Sequence, residues 1–504
     1  MSDVRCKILL VLLLLCVSLT TAAEDFLMRG CRRGVLPSTT VLRSRRAAAT
    51  PRQVGGSFYT GDRRQLVVLV SFSDLQFSDS DPVAAWNPIF NQPDYTQPPF
   101  YGSIHDYFYA QSDGRLCLTF DLHYVAFSHS RERYASTQGD DENSQYLISD
   151  VVDTLLTRDI DWSPYDWDGN GYVNQVLIVY AGYGMNDGGD DKTIWPHQWW
   201  LSLHLKDYHV KGHAEGVYCE PRRVTSGGRD YYVDAYCALQ EYAMSTKYGS
   251  FGTIVHEYTH CFGFPDFYHG SSSYVGHWDL MDFGNNNGGG FCPPNYSAHE
   301  RWLMGWCTPT ELTTTQTVTA MDASQSYLVR NDGYSDEYYV VENRQQVGWN
   351  RSLPASGLVV LHVDFKESAW LGLSIVDGEV SYEAANTSSL KRYTIFPANN
   401  KPYYTTRNEA GWAYPYESNN SLTNLSTPAA TLNHENTDGS LLMNKSLTEM
   451  AVDASGKGSF RFSVDSGTGI VEHHTEGQPQ VLYDLGPVRI VRCPNGEIKK
   501  VVKH

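Results

Sequence analysis

Basic residues are scarce in this chain: 39 Lys and Arg stand against 57 Asp and Glu over 504 residues, a formal charge of −18. That deficit argues against nucleic acid as a partner, because phosphates need a cationic footprint, and no aromatic-and-basic binding module is evident. Long apolar runs are lacking too. The stretch 8–19 is shorter than the roughly 20 residues that span a bilayer, and no later segment qualifies as a membrane span. Its flanks read instead as a secretory signal, with Arg5 and Lys7 before it and Thr21, Ala22 and Ala23 after it as small residues for cleavage. Residues 1–23 are therefore expected to be removed and the protein to be secreted, extracellular or at the cell surface. Leu13, Leu14 and Leu15 are not the small residues that precede a lipidated cysteine, so Cys16 does not suggest an anchor. Only 10 cysteines are present. With Cys6 and Cys16 removed, eight remain that export would allow to pair, with too many combinations for sequence to choose among.

The residues that carry chemistry lie in the run 256–266. On a helix, at about 100° per residue, His256 and His260 project about 40° apart, with Glu257 about 60° further round on the same side. Phe251, Ile254, Val255, Tyr258, Cys261 and Phe262 occupy the other side. One helix can thus bury an apolar face and turn a polar face to a cleft. Imidazoles at i and i+4 can hold one zinc ion, and a third ligand leaves the fourth position open. Asp266 is the candidate third ligand: Gly263 can end the helix in a conformation other residues resist, and Pro265 stiffens the return. Glu257 is placed as general base, accepting a proton from water and delivering it to a leaving amine. Chance also produces the bare HExxH pattern, and a closed structural zinc site is a further alternative. Such sites favour four Cys or His ligands, whereas Gly263, Asp266 and the adjacent glutamate suit hydrolysis better.

Fifteen residues past Asp266, the segment 278–284 sets Met281 in a turn-like context. It resembles the Met-turn of metzincin peptidases, whose methionine forms a hydrophobic floor beneath the metal. The run from His256 to Tyr268 resembles the HExxHxxGxPDxY signature of the immune inhibitor A family of secreted metallopeptidases. Further segments look like landmarks of that family: 195–197, 278–284, 300–302, 305–306, 337–339, 342–344 and 362–364. The resemblance spans roughly residues 60–370. It implies an α/β zincin, metzincin-like catalytic domain with a mixed sheet and an active-site helix, one zinc ion, and protein or peptide substrates in a broad cleft. Two departures leave roles open. Phe283 stands where some metzincins carry a tyrosine that binds zinc or stabilises the oxyanion. Glu300 is an alternative third ligand, since another zincin branch takes one from a later helix; otherwise it is a salt-bridge or helix-surface residue.

The surrounding sequence organises as follows. Residues 26–52 hold seven arginines and no acidic residue, so 24–57 is expected to be a basic pro-segment with a cutting region at 43–46, or a disordered leader; Cys31 is a candidate thiol for blocking zinc. A catalytic domain is expected over 58–310, a β-rich accessory domain over 311–467 and a C-terminal tail over 468–504. Periodicity predicts strands over 66–72, 116–127 and 173–180 and helices over 103–110, 143–158 and from near 250. Asp166, Asp168, Asn170, Tyr172 and Asn174 alternate around a turn glycine as in the first part of an EF-hand loop, which points to structural calcium. Leu177 stands where the bidentate glutamate belongs, and an Asp/Gly turn is the alternative. His197, within an aromatic run, is a candidate substrate-binding residue or part of a packed loop. These readings converge on a secreted zinc endopeptidase. A catalytically silent binding protein, or a zinc amidase acting on a non-protein substrate, remains open, and the oligomeric state is not legible.

Overall fold

The computed structural model describes residues 59–135, 143–186, 189, 193–201, 221–243, 246–248, 251–270, 272–370, 373–376, 379–402, 408–465, 480–484, 488–492 and 498–502. The expected signal segment 1–23, the basic segment 24–57 with Cys31, and most of the expected tail lie outside the described residues.

The first region is built on strands β1 (Gly61–Ser71), β2 (Leu116–Ala126), β4 (Val176–Tyr183), β5 (His197–Trp200), β8 (Ala235–Ala243) and β9 (Thr246–Lys247). They form one mixed sheet in the order β2-β1-β4-β8-β5, with β9 on β8. The inner pairings are parallel, and β5 runs antiparallel to β8. A small side sheet holds β3 (Tyr172–Val173), β7 (Arg229–Val233) and β6 (Arg222–Ser226) in that order. Because a parallel sheet is covered on both faces, its strands read as continuous apolar runs, as 66–71 does. Val67, Leu69, Leu177, Val179 and Leu239 turn to one core. Leu66, Val68, Val70, Ile178 and Ala238 turn to the other.

Helices α1 (Pro82–Asn91), α2 (Ile104–Gln111) and α4 (Phe251–Cys261) cover the first face, and α3 (Ser144–Leu155) covers the second. Ser103 caps α2 through a reciprocal box with Asp106, in keeping with the helix expected over 103–110. Sequence periodicity had not indicated α1. Its signal is a cap rather than a stripe: Asp81 accepts from Ala84 N, and Pro82 sits at the first helical position.

After helix α5 (Ala298–Leu303) the chain becomes β-rich. Strands β10 (Thr310–Glu311), β12 (Ser326–Arg330), β13 (Glu337–Arg344), β14 (Gly357–Asp364) and β17 (Tyr393–Ile395) make a five-stranded sheet. Strands β11 (Gln316–Met321), β18 (Lys445–Val452) and β19 (Gly458–Val464) make a second sheet, and β15 (Leu373–Val376) with β16 (Glu379–Tyr382) forms a hairpin. Strands β13 and β14 are buried at every position. Alternation explains this: Tyr339, Val341, Leu358 and Val360 face the core between the two β sheets. Tyr338, Val340, Val359, Leu361 and Val363 enter the same core as α4. The second region therefore shares its core with the first. Strands β20 (Gln480–Asp484), β21 (Val488–Arg492) and β22 (Ile498–Val502) close the described chain as an antiparallel sheet.

Candidate metal centre

Helix α4 sinks into the molecule on nearly all sides. Phe251, Ile254, Val255, Tyr258 and Cys261 enter the core, as the apolar stripe predicts, and each large apolar side chain buried contributes about 1.5–3 kcal/mol. That offsets the cost of burying the opposite face, where His256, Glu257 and Thr259 are 0 % exposed and His260 is 3 % exposed. The polar face was expected to point into a cleft; the structure encloses it. The helix ends where Gly263, at φ +95°, takes a conformation that side chains resist. Its N–H closes on His260 O at 2.9 Å. Beyond that turn the chain doubles back and brings Asp266, 3 % exposed, over the two imidazoles.

Backbone carbonyls set the two rings. His256 Nδ1 lies 2.8 Å from Leu280 O, and His260 Nδ1 lies 2.7 Å from Phe264 O. A carbonyl only accepts, so each Nδ1 carries a proton, and in the neutral ring each Nε2 then keeps its lone pair. Both lone pairs point at one carboxylate oxygen: Asp266 Oδ1 is 3.2 Å from His256 Nε2 and 3.4 Å from His260 Nε2. Three acceptors thus converge, and His260 Nε2 is buried without a hydrogen bond. In the tautomers set by the carbonyls this packing is repulsive, and a cation among the three atoms relieves it. Two imidazoles and one carboxylate suit zinc and leave a coordination position open. Among the described residues this is the one group of three such side chains whose ligand atoms gather, all within 4.8 Å. Glu257 Oε2 lies 3.9 Å from His260 Nε2, beside the group rather than in it.

The segment with Met281 supports the site through its backbone. Leu280 supplies the carbonyl that sets His256, and Met281 O accepts Phe267 N–H at 2.8 Å, next to Asp266. Asp279 shapes the turn by accepting Met281 N–H at 2.8 Å. No residue-type pattern could have marked Leu280 or Phe264, because they act through carbonyls that every residue carries. Met281 itself is wholly buried. The Phe283 ring packs with those of Tyr268 and His277.

Glu300 has a different task. It is the third residue of α5, where Ser297 N–H donates to Glu300 Oε2 at 2.7 Å and Glu300 N–H donates to Ser297 Oγ at 3.2 Å. Burial, together with the Asp279 charge, pushes its carboxyl well above the usual range. It is a helix cap, and Asp266 is the carboxylate that meets both imidazoles.

Two further expectations are corrected. His197 does not present itself to a substrate: it is 1 % exposed, with Nδ1 2.6 Å from Trp195 O and Nε2 3.1 Å from Tyr236 Oη. Trp195, Trp199 and Trp200 are buried beside it, so the aromatic run is a packed one. At the expected calcium loop, Asp166 accepts Asn170 N–H and Gly171 N–H, Asn170 Oδ1 accepts Tyr172 N–H, and Asn174 Oδ1 accepts Trp167 N–H. Arg229 also approaches Asp166 at 3.4 Å. These bonds close an Asp/Gly turn on itself. Asp168 Oδ1 is buried without a hydrogen bond, but one such oxygen is far from the six to eight that calcium takes, and calcium is not supported here. Among the described residues, Cys237 and Cys261 lie 3.5 Å apart in the core.

No curated protein matches this chain. Residues 59–304, which end just after α5 and contain the whole gathered group, match the family described as immune inhibitor A peptidase M6, catalytic domain. By that match the chain carries an immune inhibitor A-like peptidase catalytic domain.

Proposed function

We propose that the protein is an exported zinc endopeptidase in which His256, His260 and Asp266 hold the metal and Glu257 is the general base. The observation that carries this reading is the convergence of two imidazole lone pairs and a carboxylate oxygen at one buried point. Zinc, when bound, supplies a Lewis acid that polarises a scissile carbonyl and makes water more acidic. The chain's own residues do the rest. Leu280 and Phe264 hold the imidazoles in the tautomer that offers Nε2. Glu257, one residue from His256 and beside His260, takes the proton from the attacking water and passes it to the departing amine nitrogen. The enclosed position of Glu257 keeps bulk water from competing for that proton.

The family match supports protein or peptide substrates. The apolar run with its basic and small-residue flanks in 1–23 supports export, and the basic segment 24–57 would be removed from the mature enzyme. Sequencing the N-terminus of the secreted protein checks both.

The deciding experiment is cleavage of quenched-fluorescent casein by the wild type and by Glu257→Gln, with bound zinc measured on each. Equal zinc with a rate loss of about 10²- to 10⁴-fold in the variant is expected for a lost general base. Zinc in both and casein cleavage by neither would favour a binding protein, or an amidase if small amides are hydrolysed instead.

A further inference from the structure

The family match ends at residue 304, yet the two loops that complete the metal centre are fastened from beyond it. The Tyr393 hydroxyl, from β17, donates to Asp279 Oδ2 at 2.9 Å and lies 2.8 Å from Ser297 Oγ. Asp279 in turn holds Met281 N–H through its other oxygen, fixing the turn whose Leu280 carbonyl sets His256. The Tyr393 ring also stacks on Phe267, with centroids 3.8 Å apart and planes 22° from parallel. Asn386 completes this side: its Nδ2 donates to Phe267 O at 2.8 Å, and its Oδ1 accepts Tyr393 N–H at 2.9 Å. Phe267 directly follows Asp266.

Glu409 fastens the same turn at its start. Its Oε1 accepts His277 N–H and its Oε2 meets His277 Nδ1, each at 2.8 Å, while its carbonyl accepts Trp278 Nε1–H at 3.1 Å. The approach is so close that a Cβ on Gly276 would stand 1.6 Å from Glu409 Oε1. Tyr393 and Asn386 are 0 % exposed, so water does not compete for their contacts, and Glu409 is 8 % exposed against the half-exposed His277.

We infer that the second region is part of the metal centre: Tyr393, Asn386 and Glu409 are positioning residues that hold the Asp266 loop and the Leu280–Met281 turn in the geometry that gathers three ligand atoms. This rests on the zinc reading above. Metal affinity depends on the groups that orient ligands, and loss of one such group costs about 10- to 100-fold. A loop free to drift would separate Asp266 Oδ1 from the imidazoles without removing any ligand.

The test uses the full chain and measures zinc affinity by competition with a chromogenic chelator, alongside the unfolding midpoint of the metal-free protein. The variants are Tyr393→Phe, Asn386→Ala and Glu409→Gln. Tyr339→Phe is the control, because it loses the same hydroxyl from the same sheet, where that group donates to Thr431 O within the second region. Zinc affinity about tenfold weaker in the first three, and unchanged in Tyr339→Phe at a comparable loss of metal-free stability, is the expected result. Glu409→Gln, nearest the surface, keeps the test open if a buried variant fails to fold. Wild-type affinity in the positioning variants would overturn this inference and leave the zinc reading standing. A wild type that takes up no zinc would overturn both.

Discussion

Among the described residues, two clusters of histidine and carboxylate differ in what their lone pairs meet. On α4, His256, His260 and Asp266 aim acceptors at one another, each imidazole proton being spent on a carbonyl. On β13 and β14, Glu337 and Asp364 are surrounded by donors. His362 Nε2 lies 2.7 Å from Glu337 Oε1, and Glu337 Oε2 accepts His434 N–H and Asn331 Nδ2–H at 3.0 Å. Asp364 accepts Arg392 at 2.6 Å and Asn433 Nδ2–H at 3.1 Å, with His434 Nε2 also at 3.1 Å. Residue types are similar in the two clusters, and the carboxylates of both are buried. A site that calls for a metal is one whose acceptors lack protons; a cluster whose acceptors are answered by donors holds the fold together.

Substitutions in the two clusters should therefore produce different kinds of loss. The largest effect is expected for His260→Ala, which removes one of the three proposed ligands: bound zinc falls below stoichiometric and casein cleavage drops by more than the roughly 10²- to 10⁴-fold expected for loss of the proposed general base. Zinc analysis of the purified variant checks it. His362→Ala should reverse the pattern, leaving zinc stoichiometry intact while costing about 1–3 kcal/mol of stability, because the buried Glu337 carboxylate loses one of its hydrogen-bond donors. Chemical denaturation of the zinc-free forms measures that. Loss of zinc in His362→Ala with full stability would break the distinction.

A smaller effect sharpens it. Burial raises the Glu337 carboxyl, but His362 and the backbone donors outweigh this and hold it below its unfolded value of 4.5. A carboxylate depressed in the folded state contributes stability that is fully present above the unfolded value and is lost as pH falls through the folded one. Unfolding midpoints should therefore decline below about pH 4.5 in the wild type. Glu337→Gln should be less stable at neutral pH and flatter across that acid range. Parallel curves for the two proteins would show that Glu337 is not the group responsible.

Much of the architecture was legible because it rests on local periodicity. The continuous apolar run in β1, the capped start of α2 and the two faces of α4 are each written in consecutive residues. Pro82–Asn91 was missed because its stripe is short and Pro88 interrupts it. His197 and the oxygens of 166–174 were misjudged for one common reason. A polar side chain in a suggestive pattern is free for a ligand only if no neighbour takes it first, and Tyr236, Trp195 and the loop's own amides do so.

Sequence alone determined the chemistry available: two imidazoles one helical turn apart, a glutamate between them and a glycine turn that returns an aspartate. Those are matters of spacing along one chain segment. Only tertiary structure decided that Asp266 and not Glu300 meets the imidazoles, that carbonyls of Leu280 and Phe264 select their tautomer, and that Tyr393 reaches back from more than a hundred residues away to brace the turn. Contacts of that kind depend on backbone groups common to every residue and on how distant segments pack, and neither leaves a periodic trace in sequence.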